Sequence, residues 1–238
     1  MDKRVSKERA YVLHTRPYRD TSLIVDVLTE SYGRIAVVAK SARGPKSRFR
    51  GQLTPMTPLL VSWTGLSELK TLTVIDAVGL PTQLQGNALW ACFYAHELML
   101  RLLAHEDEHP RLFEAYEALL VGLQEPGSYS ALRYFELALL AELGYAPTLH
   151  ETAHGEAVLP DCVYRYVLDH GLVAMGQAEQ DGLVFLGSDL LALHRRELRA
   201  DSELSTAKRL LRYVLSHRIG PKPLKTRQLW GQLQGSKA

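Results

Sequence analysis

Arg34 to Lys40 reads RIAVVAK, and this run decides how the first third of the chain folds. Successive side chains of a strand point to opposite faces, so Ile35, Val37 and Ala39 take one face and Arg34, Ala36, Val38 and Lys40 the other. The first face suits a core, and the second carries a cation at each end. Segments of the same period lie around it at Tyr11–Thr15, Leu23–Leu28, Leu59–Trp63 and Lys70–Ile75, rich in Val, Ile, Thr and aromatic residues. Turn signals such as Ser31-Tyr32-Gly33 and Thr64-Gly65 separate them. Five short strands in about 75 residues predict a small barrel or sandwich.

The strand runs straight into Ala39–Gly51, AKSARGPKSRFRG, which holds Lys40, Arg43, Lys46, Arg48 and Arg50 and no acid. A phosphate backbone is bound by such groups on an adaptable scaffold, because charge neutralisation and counterion release supply much of the affinity. Gly44-Pro45 provides a turn, and Phe49 between two arginines is the type of ring on which a base stacks. Arg34 and Lys40 extend the charge onto the strand, Lys70 can join from a neighbouring strand, and Arg16, Tyr18 and Arg19 lie in an early loop. The functional reading is a nucleic-acid surface with little sequence preference; the plain alternative is a solubilising loop.

After Pro81 the period becomes helical. Asn87 is a candidate cap for a helix with Leu89, Phe93, Leu100 and Leu103, and a second helix spans Arg111–Leu123. Ser130 opens a third with Leu132, Phe135, Leu139 and Leu140, which Gly144 ends. Tyr164–Leu168, the turn Asp169-His170-Gly171 and Leu172–Met175 read as a hairpin among the helices. Helices resume at Ser188–Leu198 and Leu204–His217, and a short one with Leu229 and Trp230 follows the break GPKP. The predicted organisation is α+β: a β domain over 1–80, then a helical domain over 81–238 with a hairpin insertion at about 158–185.

Charge is segregated along the chain. Residues 1–80 hold 13 Lys and Arg against 7 acids, residues 81–203 hold 7 against 19, and residues 204–238 hold 8 and no acid. A polyanion would therefore be bound by the two ends. Hydrophobic residues at 46% and charged residues at 23% are those of a globular protein. The most apolar run, Leu89–Leu103, is interrupted by His96, Glu97 and Arg101 and reads as a buried helix, so no membrane partner is expected. Cys92 and Cys162 are too few for a disulfide framework, and the N-terminal residues lack the apolar core of an export signal. The expected location is the cytoplasm.

Enzyme signatures are missing: no phosphate-binding P-loop, no dinucleotide glycine motif, no H-E-x-x-H and no G-x-S-x-G. Glu106, Asp107 and Glu108 form a surface-like acidic run. His150 and His154, followed by Cys162 and His170, include ligand types for zinc, but Gly144, Pro147 and Gly155 argue against the regular helix that would pair the histidines. No cofactor and no metal are expected, and no catalytic residue is assigned.

On Leu204–His217 an apolar stripe of Leu204, Ala207, Leu211 and Leu215 is flanked by Lys208, Arg209 and Arg212, and Arg133 stands beside Leu132 and near Leu137 on another helix. Arginines at the lip of an apolar groove suit a peptide that is both acidic and hydrophobic. On spacing alone the simpler reading is a core helix with a solvated basic face.

Taken together, AYVLHTRPYRDTSLIVDVLTESYGRIAVVAKSAR, LTPMTPLLVSWTGLSELKTL, LRYFELALLAELGY, YRY at 164–166 and GPKPLKTRQLW resemble the RecO family of bacterial recombination mediators, in order and over nearly the whole chain. The resemblance implies an N-terminal OB-fold barrel followed by a helical domain, and a non-enzymatic role. It implies binding of single- and double-stranded DNA, annealing of complementary strands, and engagement of the acidic C-terminal tail of single-stranded DNA-binding protein. It further implies action with RecR to load RecA onto coated DNA in the RecF repair pathway, RecA being an indirect partner. By position, the basic stretch becomes the loop after the third barrel strand. Arg133, with Leu132 and Leu137, becomes part of the tail pocket, and Lys208, Arg209 and Arg212 become further candidates for it. Many members carry a four-cysteine zinc site after the LGY segment; LHETAHG here has no cysteine, so no structural zinc is expected. An adaptor acting through protein partners with weak DNA binding of its own is the alternative.

Overall fold

The computed structural model describes residues 4–125, 127, 129–175 and 183–235. Strand β1 runs over Arg4–Tyr18, much longer than Tyr11–Thr15, because its two halves pair with different neighbours. Ala10–Tyr18 pairs antiparallel with β2 (Ser22–Thr29), whereas Arg4–Ala10 pairs with β4 (Leu59–Thr64). Lys7, at φ +56, marks the register shift in the second pairing, and its amide donates to Ser62 Oγ at 3.0 Å. A bulge of this kind lets one strand turn from one part of a curved sheet to another.

β3 (Gly33–Ala39) pairs antiparallel with β2, and β5 (Leu69–Ala77) antiparallel with β4. Parallel pairing of Ala36–Val38 with Leu69–Thr71 closes the sheet in the order β1-β2-β3-β5-β4. This is the OB-type barrel. Its interior holds Val12, Val25, Val27, Ile35, Val37, Val61, Trp63 and Leu72, with the Trp63 indole edge-on to Tyr32 at 5.2 Å. Each such side chain contributes about 1.5–3 kcal/mol by burial, which explains why apolar residues fill this inner face. The outward Ala36 and Val38 are also buried, in a small outer cluster with Ile24, Tyr18 and Leu69.

The chain packs as two compact units, one reaching to Gln124 and taking in the segment from Leu224 onward, the other from Glu125 to Pro223. Helices α1 (Gly86–Leu102) and α2 (Pro110–Gly122) therefore belong with the barrel, and the units do not follow the change of period near Pro81. Tyr11 of β1 lies 5.6 Å from the Phe113 ring and 5.1 Å from that of Tyr116, so the aromatic face of α2 is buried on the strand. The position before α1 is Gln85, not Asn87, which lies inside the first turn. Helix α6 (Lys225–Gly235) docks on α1: the Glu97 carboxylate accepts the amides of Lys225 (2.8 Å) and Thr226 (2.9 Å) and the Thr226 hydroxyl (2.7 Å). Those bonds satisfy N–H groups that a helix start leaves open, and Trp90 meets Trp230 at 5.6 Å.

The second unit contains α3 (Ser130–Glu142), the sheet β7-β6-β8 from Val163–Val167 (β6), Gly171–Ala174 (β7) and Val184–Leu186 (β8), then α4 (Gly187–Arg195) and α5 (Asp201–Arg218). The expected hairpin is β6–β7, turning at Asp169 (φ +59) and Gly171 (φ +106). β8 is an addition that its three residues did not announce. Residues 176–182 of the expected insertion lie outside the described residues. The buried face of α5 is Ala207, Leu210, Leu211, Val214 and Leu215, with Leu204 half-buried at its edge. No helix among the described residues is long and apolar enough to cross a membrane.

Candidate nucleic-acid interface

The loop after β3 is bonded to the turn between β1 and β2, a contact between segments that are separate in sequence. The Arg43 amide donates to Thr21 O at 2.8 Å, and its Nη2 donates to the carbonyls of Arg19 (2.7 Å) and Asp20 (2.6 Å). The Ser41 amide reaches Ser22 Oγ at 3.4 Å. Lys40, Arg43, Lys46, Arg48 and Arg50 of this loop are exposed, as are Arg16 and Arg19 beside and in the turn it is bonded to, and Tyr18 there is half-buried. Exposed Asp20 is the carboxylate of that turn.

Phe49 is placed differently from the sequence expectation. It is 2% exposed and belongs to the barrel core, with the Arg48 guanidinium 4.8 Å from its ring centroid. The ring anchors the loop, so the flanking arginines emerge at the rim, and it presents no face for a base to stack on. An aromatic between arginines has the same sequence signature in either role.

Arg34 and Lys70 are also withdrawn from the exposed surface. Arg34 Nη2 donates to Asp26 Oδ1 at 2.9 Å, and Nη1 to the carbonyls of Leu100 (2.7 Å) and Leu103 (3.2 Å) at the end of α1. A guanidinium there complements the negative end of the helix dipole. Lys70 is 5% exposed and its Nζ meets Glu106 Oε1 at 2.5 Å. Buried charges persist when paired, and these two cations fasten the segment after α1 to the barrel. Their partners Asp26 and Glu106 were not recognisable as such in the sequence.

In the second unit, Leu132 is buried and Leu137 half-buried. Arg133 is 9% exposed, with Nη1 2.8 Å from the carboxylate of Glu136, itself 1% exposed. It is therefore an inner residue of α3, not a lip residue. Lys208, Arg209 and Arg212 stand exposed on α5. The Arg209 guanidinium lies 5.0 Å from the Phe185 ring centroid. α3 packs on α5, but Arg133 makes its ion pair within its own helix. The histidines disperse: His150 stacks on His194 at 4.7 Å and His154 meets His170 at 6.4 Å, while Cys162 is exposed. No cluster of three or more metal-type ligands occurs among the described residues.

Buried in the first unit, His96 Nε2 and the Tyr116 hydroxyl are 2.6 Å apart, with Cys92 Sγ 3.6 Å from the same nitrogen. Burial pushes the Cys92 thiol up to about 12 and holds the His96 imidazole down at about 4. Neither group is charged near neutrality, so the triad joins α1 to α2 as a neutral hydrogen-bonded contact. An inert thiol of this kind is not a nucleophile.

These features define an OB-barrel protein with an exposed basic end and a helical second unit. Residues 1–80 match the family model "Recombination protein O N terminal" and residues 83–228 match "Recombination protein O C terminal". A DNA repair protein RecO of Coxiella burnetii (strain RSA 493 / Nine Mile phase I) is 44% identical over 230 residues, covering 96% of this chain and 99% of its own. The protein of that name from Vibrio cholerae O1 El Tor N16961 is 43% identical over 227 residues (94% and 93%), and that from Azoarcus sp. BH72 is 41% identical over 236 (97% of each). The chain belongs to the RecO family of DNA repair and recombination proteins.

Proposed function

We propose that this chain is a recombination mediator that binds DNA through the end of its barrel and carries out no turnover chemistry. The observation that carries the reading is the exposed Lys40, Lys46, Arg48 and Arg50 of the loop, which Arg43 bonds to the turn that bears Arg19, with Arg16 and Tyr18 beside it. Such a surface recognises phosphates and not base edges, so single- and double-stranded DNA are both ligands and sequence preference is slight. Neutralising two complementary strands lowers their repulsion, which is the physical basis for annealing them. The helical unit takes the acidic tail of single-stranded DNA-binding protein, its carboxylates on the α5 ridge of Lys208, Arg209 and Arg212 and its apolar end near Leu132 and Leu137. Arg133, held by Glu136, is the inner cation of that pocket. With RecR, the protein assists RecA onto coated strands in the cytoplasm, at the nucleoid during repair.

The test is annealing of complementary strands, naked or precoated with single-stranded DNA-binding protein. Lys46→Glu/Arg48→Glu/Arg50→Glu is expected to fail on both substrates, and Lys208→Glu/Arg212→Glu only on coated strands. Normal annealing of naked strands by the loop variant would refute DNA binding by this surface and favour an adaptor working through protein partners.

A further inference from the structure

Several observations at the barrel end converge on the β1–β2 turn. Arg19 has φ +50, a left-handed conformation that few residues other than glycine adopt. It is held there by the Arg43 guanidinium, whose Nη2 takes the carbonyls of Arg19 at 2.7 Å and Asp20 at 2.6 Å. The Arg19 guanidinium in turn lies 5.2 Å from the Tyr18 ring centroid. Tyr18 packs on the outer barrel cluster of Ile24, Ala36 and Val38. Arg16 falls on the same face of β1 as Tyr18, opposite Ile24. The order outward is apolar barrel face, ring, guanidinium, solvent, and Arg19 is exposed.

We propose that this turn is a base-stacking platform for single-stranded DNA, with Arg19 over Tyr18 as the stacking pair and Arg43 as the residue that holds it in position. The inference rests on the proposed DNA binding at the barrel end and adds a ligand preference and a division of labour to it. Unpaired bases offer open faces to a ring or a guanidinium plane, whereas bases in a duplex are already stacked on each other. The stacking role that Phe49 cannot fill from inside the core falls to this pair. Lys46, Arg48 and Arg50 neutralise phosphates, while Arg43 spends its Nη2 on backbone carbonyls and orients the platform.

The experiment measures binding of the full chain to an oligo-dT strand, an abasic strand of equal length and a duplex, over a series of salt concentrations. Wild type is expected to bind oligo-dT about tenfold tighter than the abasic strand. Arg19→Lys keeps the charge and loses the plane, so it should lower oligo-dT affinity several-fold more than abasic affinity and erase that preference with the salt slope retained. Arg43→Gln and Arg43→Lys, neither of which reproduces the guanidinium's hold on both carbonyls, should each reduce the preference with the salt slope retained. A slope shallower by about 0.7 in Arg43→Gln would make Arg43 a phosphate ligand and overturn its positioning role. Equal binding of dT and abasic strands by wild type, or an undiminished preference in Arg19→Lys, would overturn the platform and leave the basic end standing as a DNA site. Absence of DNA binding by wild type would sink the underlying proposal and this one with it.

Discussion

Gly33 lies directly beneath the backbone of Asp107: a Cβ added at Gly33 would stand 1.6 Å from the Asp107 carbonyl oxygen. The Glu106 amide next to it donates to Arg34 O at 2.9 Å, so the segment after α1 is fastened to β3 where β3 begins. Gly33 also has φ +61. Gly33→Ala therefore meets both a strained backbone and a collision with main chain, and should destabilise the protein by about 3 kcal/mol or more. Urea denaturation followed by tryptophan fluorescence would measure it; a midpoint equal to wild type would contradict this packing.

The Asp26–Arg34 pair should respond asymmetrically to substitution. Asp26→Leu leaves a mostly buried guanidinium with its carboxylate gone and should cost about 3 kcal/mol. Asp26→Leu/Arg34→Met removes both charges and should recover part of that loss, although the Leu100 and Leu103 carbonyls then lose a donor. A double-mutant cycle in urea checks the coupling, and additive losses would argue that the two groups act independently.

Phe49 should behave as a core residue. Phe49→Ala is expected to lose about 3–5 kcal/mol, whereas Phe49→Leu fills most of the space and should keep both fold and DNA affinity. If Phe49→Leu weakened binding to single strands alone while its urea midpoint held, the ring would have to leave the core to meet a base.

His96 sets a pH dependence. Burial, the largest cause, keeps its imidazole at about 4 in the folded chain against an ordinary 6.5. The unfolded chain takes up the proton first as pH falls, so this group's stabilisation is complete above 6.5 and is lost progressively toward 4. The loss amounts to about 3 kcal/mol. Comparing urea midpoints from pH 7.5 to 4 for wild type and His96→Gln isolates the effect, because other titrating groups are common to both. The variant should show the shallower decline, and parallel declines would mean that His96 is not protonated preferentially on unfolding.

Much of the architecture was legible in local pattern. RIAVVAK identified β3, its neighbours gave the remaining barrel strands, and the shift of period after Pro81 marked the helices. The N-terminal half of β1 was hidden because Arg4, Ser6, Lys7, Glu8 and Arg9 are polar, and only the pairing with β4 makes that stretch a strand. Likewise α6 carries no sign of its berth; three hydrogen bonds to Glu97, well over a hundred residues earlier in the chain, determine it.

For the candidate site, the sequence by itself determined that the barrel would end in an acid-free cationic loop, because charge density along a contiguous stretch is a local property. The tertiary structure decided which of those groups face solvent. Arg34 and Lys70 found Asp26 and Glu106, Phe49 found the core, and Arg43 found the carbonyls of another turn. A buried cation requires a partner and a ring gains by burial wherever the fold offers space. Both conditions are met by residues distant in sequence, so composition and spacing do not encode them.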